Sequence, residues 1–266
     1  MEIEVTSNCA ECFGLCCVAL PFAKSADFGF DKQSGAPCPN LQEDFSCGIH
    51  RKLRSEGFSG CTVYECFGAG QHVAQGTYEG KDWRRFPELA EEMFAVFPVM
   101  QELHEMLYYL AEASLKSEIA SMHALINRMY KETEALTDES PQVLLSLNVD
   151  AHRARVNEVL VKTSEMFRAN APRKRRQKGS SDYVGARLRK ADFKGADARG
   201  ALFIAADLRE ADFSYADVIG ADFRDADVRG TNLRKTLFLT QAQVNAAKGN
   251  KHTLMPSNLN YPIHWT

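Results

Sequence analysis

The sequence predicts a multidomain α+β protein with a small cysteine-rich metal-binding module, an α-helical bundle and a C-terminal coil of short repeats. Three observations predict this class. All eight cysteines lie within the first 66 residues of the 266-residue chain. An apolar stripe with helical spacing follows from residue 83, and residues 186–238 repeat every five positions. We therefore place the module at 1–75, the helices at 82–170, a basic linker at 171–182 and the capped coil at 183–266.

The expected compartment decides how the cysteines are interpreted. The chain begins Met1-Glu2-Ile3-Glu4-Val5, without the basic and apolar segments of a secretory signal, and it has no apolar run long enough to span a bilayer. We therefore expect a cytoplasmic protein with no membrane partner. Because thiols stay reduced in the cytoplasm, clustered cysteines favour metal binding over a disulfide framework. Redox-sensing disulfides are the alternative.

The cysteines form a leading cluster and four trailing positions. The cluster Cys9-Ala-Glu-Cys12-Phe-Gly-Leu-Cys16-Cys17 has spacings that let thiolates converge from one tight loop. The continuation contains Pro37-Cys38-Pro39-Asn40-Leu41, Ser46-Cys47-Gly48-Ile49-His50, Gly60-Cys61 and Glu65-Cys66. Over residues 7–73 this pattern resembles the CxxCxxCC-type zinc- or iron-chelating family. The resemblance implies a zinc or iron site built from Cys9, Cys12, Cys16, Cys17, Cys38, Cys47, Cys61 and Cys66.

Spacing alone leaves open the metal and the grouping of its ligands. Three residues separate Cys12 from Cys16 where the family has two, which affects which thiols share a metal. Neighbouring side chains diverge, so Cys16 and Cys17 are expected to serve different metals, or one of them is a structural thiol. Eight thiols suffice for two four-coordinate zinc sites or for an iron–sulfur cluster with spare cysteines. His50 and His72 are alternative ligands, although a surface or hydrogen-bonded role suits both better.

The middle of the chain has the periodicity of amphipathic helices. Apolar residues recur every three or four positions over 86–110 and again over 115–129. Pro87 suits a first helical position, and Pro98 is expected to break or kink the helix. A third helix is predicted over about 149–167. Such stripes form a core or a dimer interface, so dimerisation through this region is one expectation.

A basic segment precedes the repeats. It includes Arg173-Lys174-Arg175-Arg176-Gln177-Lys178, followed by Gly179 and two serines, which predicts a flexible linker. Its five positive charges could contact nucleic acid. However, no aromatic residues interleave with them and no DNA-binding motif surrounds them. A solvated tether is therefore the better interpretation.

The repeats place a small residue every five positions and a larger apolar residue two positions after it. The small residue recurs from Ala186 to Thr236 in eleven units without an insertion. A period of five fits neither a helix nor a flat strand, so we expect a coil that changes direction once per unit. The units resemble the pentapeptide-repeat pattern A(D/N)LXX, as in Ala191-Asp192-Phe193-Lys194-Gly195. The resemblance implies a right-handed quadrilateral β-helix with four units per coil, in which the large apolar residue fills the interior and the small residue packs at the inner wall. A short stack needs a cap at its end, so we predict a capping helix after Thr240 and closure of that end by Trp265.

These features predict an interaction protein more readily than an enzyme. Some pentapeptide-repeat proteins inhibit topoisomerases by mimicking DNA, but residues 184–239 contain nine acidic and ten basic residues, which argues against mimicry. No nucleophile–base pair or metalloprotease or phosphate-binding motif is present. The leading prediction is a non-enzymatic metal-binding protein that presents its repeats to an unknown protein partner. The alternatives are an iron–sulfur or metal-dependent redox enzyme or sensor that docks its target through the coil, and a nucleic-acid or topoisomerase binder.

Overall fold

The computed structural model describes residues 5–172 and 181–265. The basic run at 173–178, for which a flexible linker was predicted, lies outside the described residues. The chain divides into two compact units. Unit 1 comprises Met1–Leu115 with Ser121–Leu160, and unit 2 comprises Lys116–Ala120 with Val161–Thr266.

Regular secondary structure in the described residues is helical. The α-helices are α1 Leu15–Ala19, α2 Ser59–Thr62, α3 Ala69–Gln71, α4 Ala90–Ser114, α5 His123–Thr137, α6 Pro141–Ser146, α7 Val149–Arg168 and α8 Gln241–Ala246. Short 3-10 turns cover Cys9–Glu11, His50–Lys52, Pro87–Leu89 and Ser117–Met122, and a π-helical turn covers His72–Thr77. None of the described helices has the length and apolar character that a membrane crossing requires.

Helix α4 is the centre of unit 1. Its buried face includes Phe97, Met100, Leu103 and Leu107, and α1, α5 and α6 pack against the helix. The helix continues through Pro98, so of the predicted break or kink at this residue the break is wrong. Helix α7 begins and ends within a residue of the predicted third helix. The short helix α6, which the sequence analysis did not predict, begins after Ser140, whose hydroxyl accepts a hydrogen bond from the Val143 amide.

The cysteine-rich segment precedes α4 and is built mostly from turns. Two isolated antiparallel bridges, Phe22 with Lys32 and Leu41 with Cys47, close its loops. The Cys38 amide donates to the Cys17 carbonyl at 2.9 Å, which brings the leading cluster to the second cysteine segment. Backbone contacts between distant loops therefore position the thiols.

The predicted fold class is wrong in its β part. The described residues contain no β-strand and no sheet. Within the repeats, pairing consists of isolated parallel bridges between residues twenty positions apart, such as Asp192 with Asp212 and Asp212 with Asn232. Each five-residue unit contributes one bridging residue between turns, whereas a strand needs consecutive paired residues. The repeats form a coil of turns, and the predicted right-handed quadrilateral β-helix is not present.

The interior of the coil is filled by the large apolar residue of each unit. Phe203, Leu208, Phe213 and Val218 are fully buried. The small residues line the inner wall, where Ala211 and the neighbouring repeat alanines are also buried. The placement of both residue types follows the five-residue period.

A short helix and the C-terminal segment close the coil. Helix α8 begins after Thr240, whose hydroxyl accepts from the Gln243 amide in a capping box. The indole Nε1 of Trp265 donates to the Ala247 carbonyl at 3.0 Å. The Trp265 ring also lies against Gly249, where an added Cβ would be 2.5 Å from it. Trp265 thus packs at the end of the coil, as predicted.

Candidate functional site

The eight cysteines are all free thiols, and several of them are neighbours. Cys12 and Cys66 meet at Gly70 of helix α3, where an added Cβ would lie 2.7 Å from the Cys12 Sγ and 3.8 Å from the Cys66 Sγ. The Cys16 and Cys17 sulfurs are 4.0 Å apart. The absence of a side chain at position 70 therefore lets thiols from two distant segments approach each other.

Electrostatic interactions connect the thiols in two overlapping groups. Burial raises the pKa of Cys12 to about 12, and the nearby Cys66 and Cys9 add to the effect. Burial also raises the pKa of Cys61 to about 11, with further contributions from Cys17, Cys38 and Cys47. The first group consists of Cys9, Cys12, Cys16 and Cys66, and the second consists of Cys17, Cys38, Cys47 and Cys61. The two groups are not separate, because Cys17 also raises the pKa of Cys9 and of the adjacent Cys16.

The thiols of each group lie near one another but do not have the arrangement of a metal coordination sphere. Across residues 5–172 and 181–265, no group of three or more His, Cys, Asp or Glu side chains is arranged to hold a metal ion. The structure therefore brings the predicted ligands into one module without converging them on a centre. Their donor chemistry suits zinc or iron, because thiolates are preferred ligands of both.

A buried lysine lies beside the thiols. Lys32 is 5% exposed, and its ammonium donates to the carbonyls of Val18, Gln33 and Ala36 at 3.0, 3.1 and 2.9 Å. A hydrogen bond from Cys16 lowers the pKa of Cys17 to about 7, and the positive charge of Lys32 contributes to this shift. Lys32 thus places a fixed cation next to thiols that would carry negative charge as thiolates.

The two histidines considered as ligands have different environments. His50 is exposed. The His72 Nδ1 is 2.8 Å from the Nε2 of His104, whose Nδ1 lies 2.8 Å from the Phe67 carbonyl. Since only a protonated Nδ1 can donate to that carbonyl, the neutral His104 Nε2 accepts from His72. Burial lowers the pKa of both rings, that of His104 to about 4, so the pair is neutral at physiological pH.

The coil carries its charges in a repeated arrangement. In four units the Asp carboxylate accepts from the guanidinium of the Arg two residues later. The Arg209 Nε and Nη2 donate to the two Asp207 oxygens at 2.7 and 2.6 Å. This hydrogen bonding lowers the pKa of Asp207 to about 2. The four pairs are Asp197–Arg199, Asp207–Arg209, Asp222–Arg224 and Asp227–Arg229, and we call them Asp-x-Arg clamps.

Asp217 departs from this arrangement. Ile219 occupies the position where a clamp has arginine, and the Asp217 side chain is fully buried. Its Oδ1 accepts from the Ile219 amide at 2.9 Å, whereas its Oδ2 has no hydrogen-bond partner among the described residues. Burial raises the pKa of Asp217 to about 6, although Arg199, 3.8 Å away, opposes the shift. This buried carboxylate was not predicted from the sequence.

Comparison with known proteins identifies the repeats and a relative. The family of pentapeptide repeats matches in eight copies over residues 186–225 and 201–238. The uncharacterized protein YybG of Bacillus subtilis (strain 168) is 60% identical over 269 residues, which cover 100% of this chain and 96% of that protein. No solved structure matches the chain. The comparisons confirm the predicted pentapeptide repeats and give no support to the chelating-family resemblance of the N-terminal module.

Proposed function

We infer a scaffolding role for this chain, which belongs to the same family as YybG of Bacillus subtilis (strain 168) and carries pentapeptide repeats. In this proposal the protein is non-enzymatic, and the outer surface of its repeat coil binds another protein. A cytoplasmic location remains a prediction.

The observation that carries the proposal is the contrast between the interior and the exterior of the coil. Phe203 and Phe213 fill the interior completely, and a cavity near Trp265 measures about 10 Å³, far smaller than a ligand pocket. Outside, the Asp-x-Arg clamps hold charged side chains in fixed positions. A surface arranged before binding loses less conformational freedom when a partner docks, which favours a binding role.

Site-specific photo-crosslinking in cells tests the scaffold role. A photoreactive residue is introduced singly at Lys190, Ala205, Arg224 or Arg234, which are exposed positions of the coil, with Lys24 of the N-terminal module as the matched exposed control. We expect a discrete protein adduct from one or more coil positions and none from position 24. Absence of any adduct from the coil would reject the scaffold role.

A second candidate function is metal binding by the cysteine-rich module. Its support is the gathering of eight free thiols in one module, in two overlapping groups, with Gly70 leaving room where Cys12 and Cys66 meet. Each group has the donor number of a four-coordinate zinc site. Bound zinc would cross-link the turns of the module, whereas an iron–sulfur cluster would supply redox chemistry.

Metal analysis of anaerobically purified full-length protein tests this candidate. Two zinc ions per chain and no visible absorption support a structural module, and iron with acid-labile sulfide supports the redox alternative. A Cys12→Ser variant should lose metal from the first group only, and Cys61→Ser from the second only. Metal-free protein with an unchanged melting temperature after chelator treatment would reject metal binding.

A further inference from the structure

One face of the repeat coil carries a row of arginines. Arg189, Arg209 and Arg229 occupy equivalent positions in successive coils. Parallel bridges of Arg187 with Asp207 and of Asp207 with Asp227 keep these positions in register. Bridged backbones lie about 4.8 Å apart, so the arginines form a closely spaced ladder. We define the arginine face as the outward residues Arg187, Arg189, Lys190, Asp207, Arg209, Glu210, Asp227, Arg229 and Lys248.

The arginine face is more positive than the rest of the coil. Its six basic and three acidic residues give a formal charge of +3. Residues 184–239 as a whole contain ten basic and nine acidic residues, a formal charge of +1. Without Lys248, which lies outside that range, the face carries +2 and the rest of residues 184–239 carries −1, so the positive charge is concentrated on this face.

The arginines of this face are held in place by neighbouring acids. Asp207 and Asp227 clamp Arg209 and Arg229, and Glu210 of the next coil binds the guanidinium of Arg189. The two clamps use Nε and Nη2 and leave the Nη1 amine of each guanidinium able to donate to another acceptor. A fixed guanidinium binds a carboxylate with a smaller loss of side-chain entropy than a mobile one.

A cleft lies at the C-terminal end of this face. Its volume is about 300 Å³, and it is lined by Asp227, Arg229, Lys248, Gly249 and His264. Lys248 pairs with Asp225 at 2.9 Å, so its ammonium is held near the cleft. The cleft is large enough to admit an acidic side chain beside two cations.

We propose that the arginine face binds an acidic segment of a partner protein, with a carboxylate of that segment in the cleft. This inference rests on the proposed scaffold function and adds the chemical class of the partner. The row of arginines would pair with successive carboxylates, and the net charge of the face would accelerate the encounter.

The charge pattern favours an acidic protein segment over a nucleic acid. Asp207, Glu210 and Asp227 lie among the arginines, so a uniformly charged phosphate backbone would meet like charges. A protein segment can place neutral or basic residues opposite these carboxylates. The Nη1 amine of each clamped guanidinium can donate a charge-assisted hydrogen bond to a carboxylate of such a segment.

Fluorescence anisotropy with the full-length protein tests the proposal. The probe is a labelled peptide of alternating glutamate and serine. The variant Arg189→Gln/Arg209→Gln/Arg229→Gln removes three positive charges from the face. The control Lys194→Gln/Arg234→Gln/Lys235→Gln removes three from the neighbouring row of the coil. We expect the face variant to weaken binding by about tenfold or more, and the control by less than about twofold.

Further measurements test whether the variants are folded and distinguish an acidic peptide from other ligands. Circular dichroism and melting temperature should match among the proteins, and a triple Arg→Lys variant, which keeps the charge but loses the planar fork, should show an intermediate affinity. Equal losses in both Gln variants, or no peptide binding, would overturn the proposal. Tighter binding of duplex DNA with a steep salt dependence would instead assign the face to nucleic acid.

The crosslinking experiment separates this inference from the scaffold role. A protein adduct at Ala205 or Arg224, which lie outside the arginine face, together with no binding of the acidic peptide, would keep the scaffold and remove the acidic partner. Absence of adducts from every coil position removes the scaffold itself.

Discussion

The ring of Phe193 stacks on the ring of Phe213, with centroids 4.6 Å apart and planes 13° from parallel. Phe203 and Phe223 repeat the arrangement at 5.1 Å. Both pairs join residues twenty positions apart, so the side chains stack with the same period as the backbone bridges. Aromatic stacking inside the coil therefore connects the same units that hydrogen bonds connect at the wall.

Removing one ring from this stack should destabilise the coil. We expect Phe213→Ala to lower the free energy of unfolding by about 3–5 kcal/mol, because Phe213 is fully buried and the neighbouring rings cannot fill the cavity. Val184→Ala is the matched control, since Val184 is 54% exposed. Denaturant unfolding followed by circular dichroism measures both. A loss at Phe213 no larger than at Val184 would mean that the interior is loosely packed.

The buried Asp217 predicts a pH dependence of stability. Burial raises its pKa from 3.8 to about 6, so the folded state holds the proton more tightly than the unfolded state. The protonated Asp217 therefore makes its full contribution to the free energy of unfolding below about pH 4. This contribution is lost as the pH rises through about 6 and the buried side chain becomes charged. We expect Asp217→Asn to be more stable than the parent protein at about pH 8, by up to about 3 kcal/mol, and similar to it at about pH 4.

A partly exposed clamp residue, Asp207, provides the control for this experiment. The Arg209 guanidinium lowers the pKa of Asp207 to about 2. The ionised Asp207 therefore stabilises the folded state at neutral pH, and this stabilisation is lost as the pH falls through about 2. Asp207→Asn should therefore lower the melting temperature at neutral pH, which is the opposite sign. If both variants changed the melting temperature in the same direction at neutral pH, burial would not be the cause of the raised pKa of Asp217.

Lys32 should be required for folding of the N-terminal module. In Lys32→Met the aliphatic chain keeps its packing, but the carbonyls of Val18, Gln33 and Ala36 lose their common donor. We expect unfolding to become easier by about 1–3 kcal/mol. The exposed Lys24→Met serves as the control in thermal unfolding. Indistinguishable melting of the two variants would contradict the structural role of the buried ammonium.

A side chain at position 70 should disturb the thiols. The Cβ of Gly70→Ala would lie 2.7 Å from the Cys12 Sγ, so the sulfur must move. We expect a lower metal content and a loss of stability of about 1–3 kcal/mol. Gly29→Ala is the control, because its Cβ approaches Phe58 no closer than 3.4 Å. Unchanged metal content in Gly70→Ala would exclude Cys12 from the site.

The sequence predicted which repeat side chains are buried better than it predicted the secondary structure of the repeats. The five-residue period correctly placed Phe213 inside and Ala211 at the wall, because side-chain direction follows the turn of each unit. The prediction of a β-helix failed because single bridging residues alternate with turns and do not extend into strands. Similarly, α4 continues through Pro98, since burial of its long apolar face outweighs the local cost of proline.

The N-terminal module was less predictable, because its contacts join segments far apart in sequence. Spacing predicted that Cys16 and Cys17 serve different metals or that one is a structural thiol, and this stays a prediction. Spacing could not indicate that Cys66 would meet Cys12 at Gly70. His104 appeared as one position on an apolar helix, and only the fold shows that it pairs with His72. Asp217 resembles the other repeat aspartates in sequence, and the missing arginine two residues later does not distinguish it, because Asp192 and Asp212 lack one as well.

The corners of the coil influence how the protein can diversify. The backbone adopts a left-handed conformation with positive φ at ten corners, of which five are glycine and five carry a side chain. The latter are Lys190, Ala205, Glu210, Tyr215 and Asp225. A side chain at such a corner has a conformational cost that glycine avoids, yet the bridges and the interior retain their register. Recognition properties can therefore change corner by corner during evolution, while the stack that supports them is inherited unaltered.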